Sequence, residues 1–74
     1  MDLDKDVEYL VAEMGMETTM VYLFCRMLLE ERTIRDLPQN LIMERRKRKK
    51  RLAELGARYQ RLKADYEKEE NGES

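Results

Sequence analysis

The sequence predicts an all-α protein, in which a short helical corner of two helices is followed by one long C-terminal helix with a coiled-coil-like distal half. Three observations predict this class. Apolar residues recur at spacings of three and four, which places them on one face of a helix. Only three glycines and one proline interrupt the 74 residues. Charged residues are 42% of the chain, but the apolar residues, also 42%, are clustered enough to form a core.

The first helix is predicted over residues 3–14. Asp2 is a suitable N-cap residue, and Gly15 is the type of residue that commonly follows a helix end. One apolar stripe is formed by Leu3, Val7, Leu10, Val11 and Met14. This pattern is typical of a short amphipathic helix that packs one face against the rest of the protein.

The second helix is predicted over residues 18–32. Its middle, "MVYLFCRMLL", is apolar at nine of ten positions, and Arg26 is the exception. A helix that is apolar on nearly all sides is normally buried on nearly all sides. We therefore expect this helix at the centre of the fold, between other helices or between two subunits.

The third helix is predicted over residues 37–68. Asp36 and Gln39 have the spacing of a capping box, and Pro38 falls in the first turn, where its missing N–H breaks no helical bond. Only Gly56 weakens the helix afterwards. About thirty residues give a rod of roughly 45 to 48 Å, against roughly 18 to 23 Å for each earlier helix. We therefore expect its distal half to lack a partner within the chain.

That distal half carries a seam with the steps of three and four that coiled coils use. The seam consists of Leu52, Leu55, Tyr59, Leu62 and Tyr66. It can pack against the same chain, or it can join a second subunit or another protein. We predict the second arrangement, a homodimer or a complex, in which apolar residues of the second helix complete the interface: Met20, Leu23, Phe24 and Met27.

A basic segment precedes the seam in the same helix. It consists of seven consecutive cations: Arg45, Arg46, Lys47, Arg48, Lys49, Lys50 and Arg51. Residues 44–51 carry a net charge of +6, while residues 1–17 carry −5 and residues 64–74 carry −4, so the overall −1 hides a strong separation of charge. Because each cation that neutralises a phosphate releases counterions, the segment predicts contact with nucleic acid or another polyanion, mainly through its backbone.

Other interpretations of the basic segment stay open. It can be a solvated face partly neutralised by the acidic first helix, a contact for an acidic protein, or a nuclear-import signal in a eukaryotic cell. Extending the seam backwards from Leu52 reaches Arg48 and Arg45. Since unpaired buried charge is very costly, we expect these two cations to be exposed or to face carboxylates.

A basic segment that leads into leucines resembles basic-zipper transcription factors over residues 44–66. The resemblance implies DNA contact by the basic segment. The family's asparagine, alanine and cysteine pattern ahead of the arginines is absent, because that region holds Asn40, Leu41, Ile42 and Met43. No base-contacting residue is therefore carried over.

The segment "LVAEMGMETTMVYLF" is similar to a helix-turn-helix. Its buried positions and turn glycine would be Leu10, Val11, Met14, Gly15, Met16 and Val21. The resemblance implies a recognition helix that starts at Glu17 and presents four residues to a major groove: Thr18, Thr19, Tyr22 and Arg26. The same pattern arises from two amphipathic helices joined by a tight glycine corner.

Several function classes are not supported by the residues present. Cys25 is the only cysteine and there is no histidine, so zinc sites built on these residues are excluded, and we expect Cys25 to be a buried structural thiol. We expect no catalytic residues, no cofactor and no metal. The acidic start is unlike a secretory signal and no stretch reaches the ~20 apolar residues of a membrane span, which predicts a cytoplasmic protein without membrane contact.

Together these patterns predict one domain with three parts: an acidic and apolar two-helix segment over residues 1–35, a long basic and then amphipathic helix over residues 36–68, and a disordered acidic tail over residues 69–74. We expect a small non-enzymatic accessory or regulatory protein that binds nucleic acid or another polyanion as a dimer, and its small size and separated charges would suit a factor of a phage or mobile element. The alternative is a protein-interaction module, an inhibitor or adaptor, that docks through the Met-rich second helix or the seam.

Overall fold

The structure, a computed structural model, describes residues 3–72, which form three helices and no strand. Helix α1 spans Leu3–Met14, α2 spans Met16–Asp36 and α3 spans Ile42–Gly72. The predicted all-α class, with a short pair of helices before a long C-terminal one, is confirmed. The expected N-cap residue Asp2 and the last two residues of the predicted tail lie outside the described residues.

The corner between α1 and α2 is a single glycine. Gly15 has φ 87° and ψ 164°, and its N–H donates to the carbonyl of Val11 at 2.9 Å. The Gly15 carbonyl accepts from the Thr19 N–H at 3.1 Å and from the Thr19 hydroxyl at 2.7 Å. Because only glycine readily adopts this backbone conformation, the sequence places the turn at this residue.

The boundary between α2 and α3 differs from the prediction. Asp36 is the last residue of α2 and does not cap α3, because the Leu37 N–H still donates to the carbonyls of Thr33 and Ile34 at 3.0 and 3.3 Å. Leu37 is then extended, with φ −68° and ψ 139°, as the residue before a proline commonly is. Pro38 therefore lies in the connection, and α3 begins at Ile42, five residues later than predicted.

The long helix also ends later than predicted. Helix α3 continues to Gly72 and so includes residues 69–72, which the sequence assigned to the tail. Its 31 residues give a length of about 46 Å at 1.5 Å per residue. Glutamate is a good helix former, which fits the extension through this acidic stretch.

Helix α2 lies at the centre of the fold and contacts both α1 and α3. Leu23, Leu55 and Leu62 are buried together. Partly buried residues from all three helices pack around them: Val7, Val11, Met16, Met20, Met27 and Tyr59. The central position of α2 is as predicted, but burial on nearly all its sides is wrong for a single chain, because Val21, Phe24, Leu28 and Leu29 are exposed.

Replacing Gly15 with alanine is expected to lower the free energy of unfolding by about 1–3 kcal/mol, the typical cost of holding a side chain in this backbone region. No heavy atom lies within 4 Å of the position of the added Cβ, so the cost arises from the backbone alone. Gly56→Ala is the matched control. That Cβ would lie 3.6 Å from Met27 Cε in ordinary contact, and the change is expected to stabilise α3 by about 0.5–1 kcal/mol. Urea unfolding followed by circular dichroism measures both, and equal effects of the two variants would contradict the backbone argument.

Candidate polyanion-binding surface

The basic segment of α3 divides into two groups of side chains. Arg45 and Arg48 are half-buried and point towards α2, while the other five cations are exposed. Successive residues on a helix are about 100° apart, so a run of seven cannot all face the same way. The structure shows which members of the run are engaged within the chain.

Arg45 closes the C-terminal end of α2. Its Nη1 donates to the carbonyl of Ile34 at 2.7 Å and to the carbonyl of Leu37 at 3.1 Å. Carbonyls in the last turn of a helix lack the usual helical donors, and the Leu37 N–H reaches that of Ile34 only at 3.3 Å, so a charged side chain is a strong additional donor. Arg45 therefore joins α3 to the end of α2 and is not available as a free cation.

Arg48 forms the central ion pair between α2 and α3. Its Nη1 lies 3.2 Å from Oε1 of Glu30, a carboxylate on a residue only 7% exposed. Its Nε lies 3.3 Å from Oε1 of Glu44, close enough for an ion pair although not aligned for a hydrogen bond. Arg48 thus faces carboxylates, one of the two arrangements that the seam pattern allowed.

The remaining cations lie on the solvent side of α3. We define the outer basic face as Arg46, Lys47, Lys49 and Lys50, all of which are exposed. Among the described side chains, residues 5–72, no ion pair involves any of these four. By helix geometry they cover a sector of about 160° on the side away from α2. The sector is a continuous cationic surface about one and a half turns long.

Arg51 is also exposed but has different surroundings. It lines an open cleft between the three helices, together with Arg26 and the acidic residues Asp6 and Glu54. The two cations and two carboxylates that line this cleft give it a net charge of zero. Arg51 therefore lies at the margin of the outer basic face.

Most of the residues predicted to form an interface pack within the core of the chain itself. Leu23, Leu55 and Leu62 are buried in the core, and Met20, Met27 and Tyr59 pack against it, while Leu52 and Tyr66 are partly buried. The expectation that the distal half of α3 lacks a partner is therefore not met as far as Tyr66, because residues of α1 and α2 pack against it there, while residues 67–72 are exposed. Phe24 is the exception, since its ring lies 5.9 Å from that of Tyr59 but remains about half exposed.

Tyr66 connects the far end of the seam to the start of α2. Its hydroxyl donates to Oε2 of Glu17 at 3.4 Å. A side-chain hydrogen bond with Glu70, together with the negative charge of Glu17, raises the pKa of Tyr66 above its usual value of 10.0. The phenol therefore keeps its proton, and with it the donor for Glu17, to a higher pH than an unperturbed tyrosine would.

Two further predictions are corrected by the structure. Thr19 is fully buried against the corner glycine, so it cannot face a major groove as the helix-turn-helix resemblance implied; Thr18, Tyr22 and Arg26 are exposed. Cys25 is exposed and is not the buried thiol that the apolar stretch predicted. Thr19 lies on the inward side of α2, whereas Cys25 lies on its outward face, which no other part of the described chain covers.

Glu30 is a structural residue that the sequence analysis missed. On α2 the inward positions Met16, Met20, Leu23 and Met27 continue by a step of three to Glu30. A single carboxylate on an otherwise apolar stripe indicates a buried partner for a cation, and this was the available signal.

The described part of the chain contains neither a metal-ligand cluster nor a membrane-spanning helix. Within residues 3–72, no group of three or more histidine, cysteine, aspartate or glutamate side chains is arranged to hold a metal ion. The same part of the chain has no helix with the length and apolarity needed to cross a bilayer.

The class defined by this fold and surface is an all-α protein in which a cationic face is displayed on the outside of a helical hairpin. No known family model matches the chain, and neither a curated protein nor a solved structure matches it.

Proposed function

We propose that this protein binds the phosphate backbone of nucleic acid through the outer basic face of α3, without reading base sequence. The observation that carries the proposal is that the basic segment contains both inward cations, which bind α2, and outward cations, which are exposed. Arg45 and Arg48 hold α3 against α2, and this leaves Arg46, Lys47, Lys49 and Lys50 exposed and without ion pairs to any side chain of residues 5–72. Four adjacent cations repel one another, and a polyanion relieves that repulsion and releases counterions.

The surface favours backbone contact over base readout. Its side chains are lysines and one arginine on the outside of a helix. Among them there is no asparagine or glutamine to read adenine, and three of the four are lysines, which bind phosphate as point charges. The expected affinity is that of non-specific binding, with a dissociation constant of about 10⁻⁴ to 10⁻⁶ M at physiological salt.

The alternative function, an interaction module that docks through the Met-rich second helix or the seam, has less support. Met20, Met27 and three of the seam residues, Leu55, Tyr59 and Leu62, pack within the chain's own core. Within the described part of α2, the outward face stays exposed for such docking.

Neutralising the outer basic face is expected to abolish binding. The variant Arg46→Gln, Lys47→Gln, Lys49→Gln and Lys50→Gln should show no binding to labelled double-stranded DNA or single-stranded RNA in fluorescence anisotropy at about 50 mM salt, where the wild type binds tightly through counterion release. Arg45 and Arg48 stay unchanged so that the packing of α3 on α2 is preserved. Circular dichroism confirms that the helices are retained.

The matched control removes four exposed cations from elsewhere in the chain: Lys5, Arg61, Lys63 and Lys68. Both variants change the net charge from −1 to −5, because each loses four positive charges. The control is expected to bind nearly as well as the wild type. Equal loss in both variants would mean that total charge, and not this face, drives binding, and a wild type that does not bind at low salt would refute the proposal.

A further inference from the structure

The outward face of α2 is an apolar stripe that the described chain leaves uncovered. Val21, Phe24, Cys25 and Leu28 are spaced as neighbours on one side of a helix, opposite the buried residues Leu23 and Ile34. Val21 is 59% exposed, Leu28 is 51% exposed and the adjacent Leu29 is 61% exposed.

The chain's own core is small. Within the described side chains, four apolar residues are buried: Leu23, Ile34, Leu55 and Leu62. Domains of this length bury too little surface to be strongly stable alone, and contiguous exposed apolar patches commonly mark interaction sites. Covering the stripe would add a second apolar layer next to the first.

We propose that a second copy of this chain covers the stripe, with α2 packed antiparallel on α2 of the partner across a twofold axis between Phe24 and Cys25. This axis places Val21 opposite Leu28 of the partner subunit. It also places Glu17, at one end of the stripe, opposite Arg32 of the partner subunit. A face with a carboxylate at one end and a guanidinium at the other is complementary to itself when reversed, as a twofold interface requires.

Both charges are placed to make this contact. The Arg32 side chain is exposed and is only 4.0 Å from Asp36 in a loose ion pair. Glu17 is exposed and accepts a long hydrogen bond from Tyr66 through one oxygen, Oε2. Because the axis is twofold, the contact between Glu17 and Arg32 of the partner subunit occurs twice in the dimer, once at each end of the stripe.

Sedimentation equilibrium without nucleic acid tests the dimer. The wild type is expected to be dimeric at tens of micromolar. Leu28→Glu is expected to weaken the dimer on the order of 30-fold or more, the effect of losing one interface hot spot. Met43→Glu, at an exposed apolar position on α3, is the matched control and is expected to leave the dimer unchanged. A wild type that stays monomeric at these concentrations would overturn the proposal.

A charge swap distinguishes this pairing from other dimers. Glu17→Arg and Arg32→Glu are each expected to weaken self-association, because each places like charges opposite one another twice. The double variant with both changes is expected to restore it. A dimer that the single changes weaken but the double change does not restore would overturn the antiparallel arrangement.

Cys25 provides a second measurement, since it is the only cysteine and would lie beside the axis. Its alkylation by iodoacetamide is expected to slow as protein concentration rises through the dimer range, and to be independent of concentration in Leu28→Glu. A rate that does not change with wild-type concentration across that range would contradict coverage of the stripe. The assay contains no nucleic acid, so its result is independent of the proposed function.

Discussion

Replacing Arg48 with methionine is expected to lower the free energy of unfolding by about 2–4 kcal/mol, because it leaves the Glu30 carboxylate buried without its partner. Glu30 is on the inward side of α2, and Arg48 Nη1 at 3.2 Å is the cation that compensates it. The range lies below the cost for a fully buried pair, because the Arg48 side chain is 32% exposed and water reaches part of the site. In a chain with so small a core, this loss is a large fraction of the total stability.

Removing both charges is expected to restore the free energy of unfolding that Arg48→Met loses. The double variant Glu30→Leu with Arg48→Met replaces the ion pair by apolar side chains, which is often neutral or stabilising when the volume is kept. Lys49→Met is the matched control: it removes the neighbouring cation at an exposed position and is expected to change stability by no more than about 0.5 kcal/mol. Urea unfolding measures all three. If Arg48→Met and Lys49→Met were equally mild, the Glu30 pair would not contribute to holding α3.

The spacing of residues explains why much of the fold could be predicted. The inward stripe of α2 runs by steps of four and three from Met16 to Ile34, and the stripe of α3 runs likewise from Arg45 to Tyr66. Two such stripes joined by a short connection favour an antiparallel helical hairpin. The contacts of Glu30 with Arg48 and of Phe24 with Tyr59 show this pairing directly.

The ends of the helices were harder to predict because competing local signals are of similar strength. Asp36 has the residue type and spacing of an N-cap, yet the hydrogen bonds of α2 extend past it, and Pro38 acts as the stop. An N-cap residue contributes only about 1 kcal/mol, so it does not determine the boundary by itself. The burial of Ile34 near the end of α2 favours the longer second helix, which then ends before Pro38.

The candidate site could be predicted as a segment but not as a set of side chains. Seven consecutive cations identify the segment, while the division into inward and outward members depends on the register of α3 against α2. Backward extension of the seam reached Arg45 and Arg48 but left open whether they are exposed or face carboxylates. Their partners could not be deduced, because two of them, the carbonyls of Ile34 and Leu37, are backbone groups.

The salt dependence of binding is expected to count the cations that contact phosphate. For double-stranded DNA, the logarithm of the binding constant falls with the logarithm of salt concentration with a slope of about −0.9 per neutralised phosphate. Four contacts from the outer basic face give a slope of about −3.6, so affinity should fall several hundred-fold between about 50 and 300 mM salt. Contact by all seven cations would give a slope of about −6.3.

Single-position variants make the count specific. Lys49→Gln is expected to reduce the steepness of the slope by about 0.9, since it removes one outward cation. The double variant Glu30→Leu with Arg48→Met also loses one cation of the basic segment but is expected to keep the wild-type slope, because Arg48 faces α2. Anisotropy titrations at five salt concentrations measure each slope. A double variant that loses as much slope as Lys49→Gln would place Arg48 on the phosphates and contradict the division between inward and outward cations.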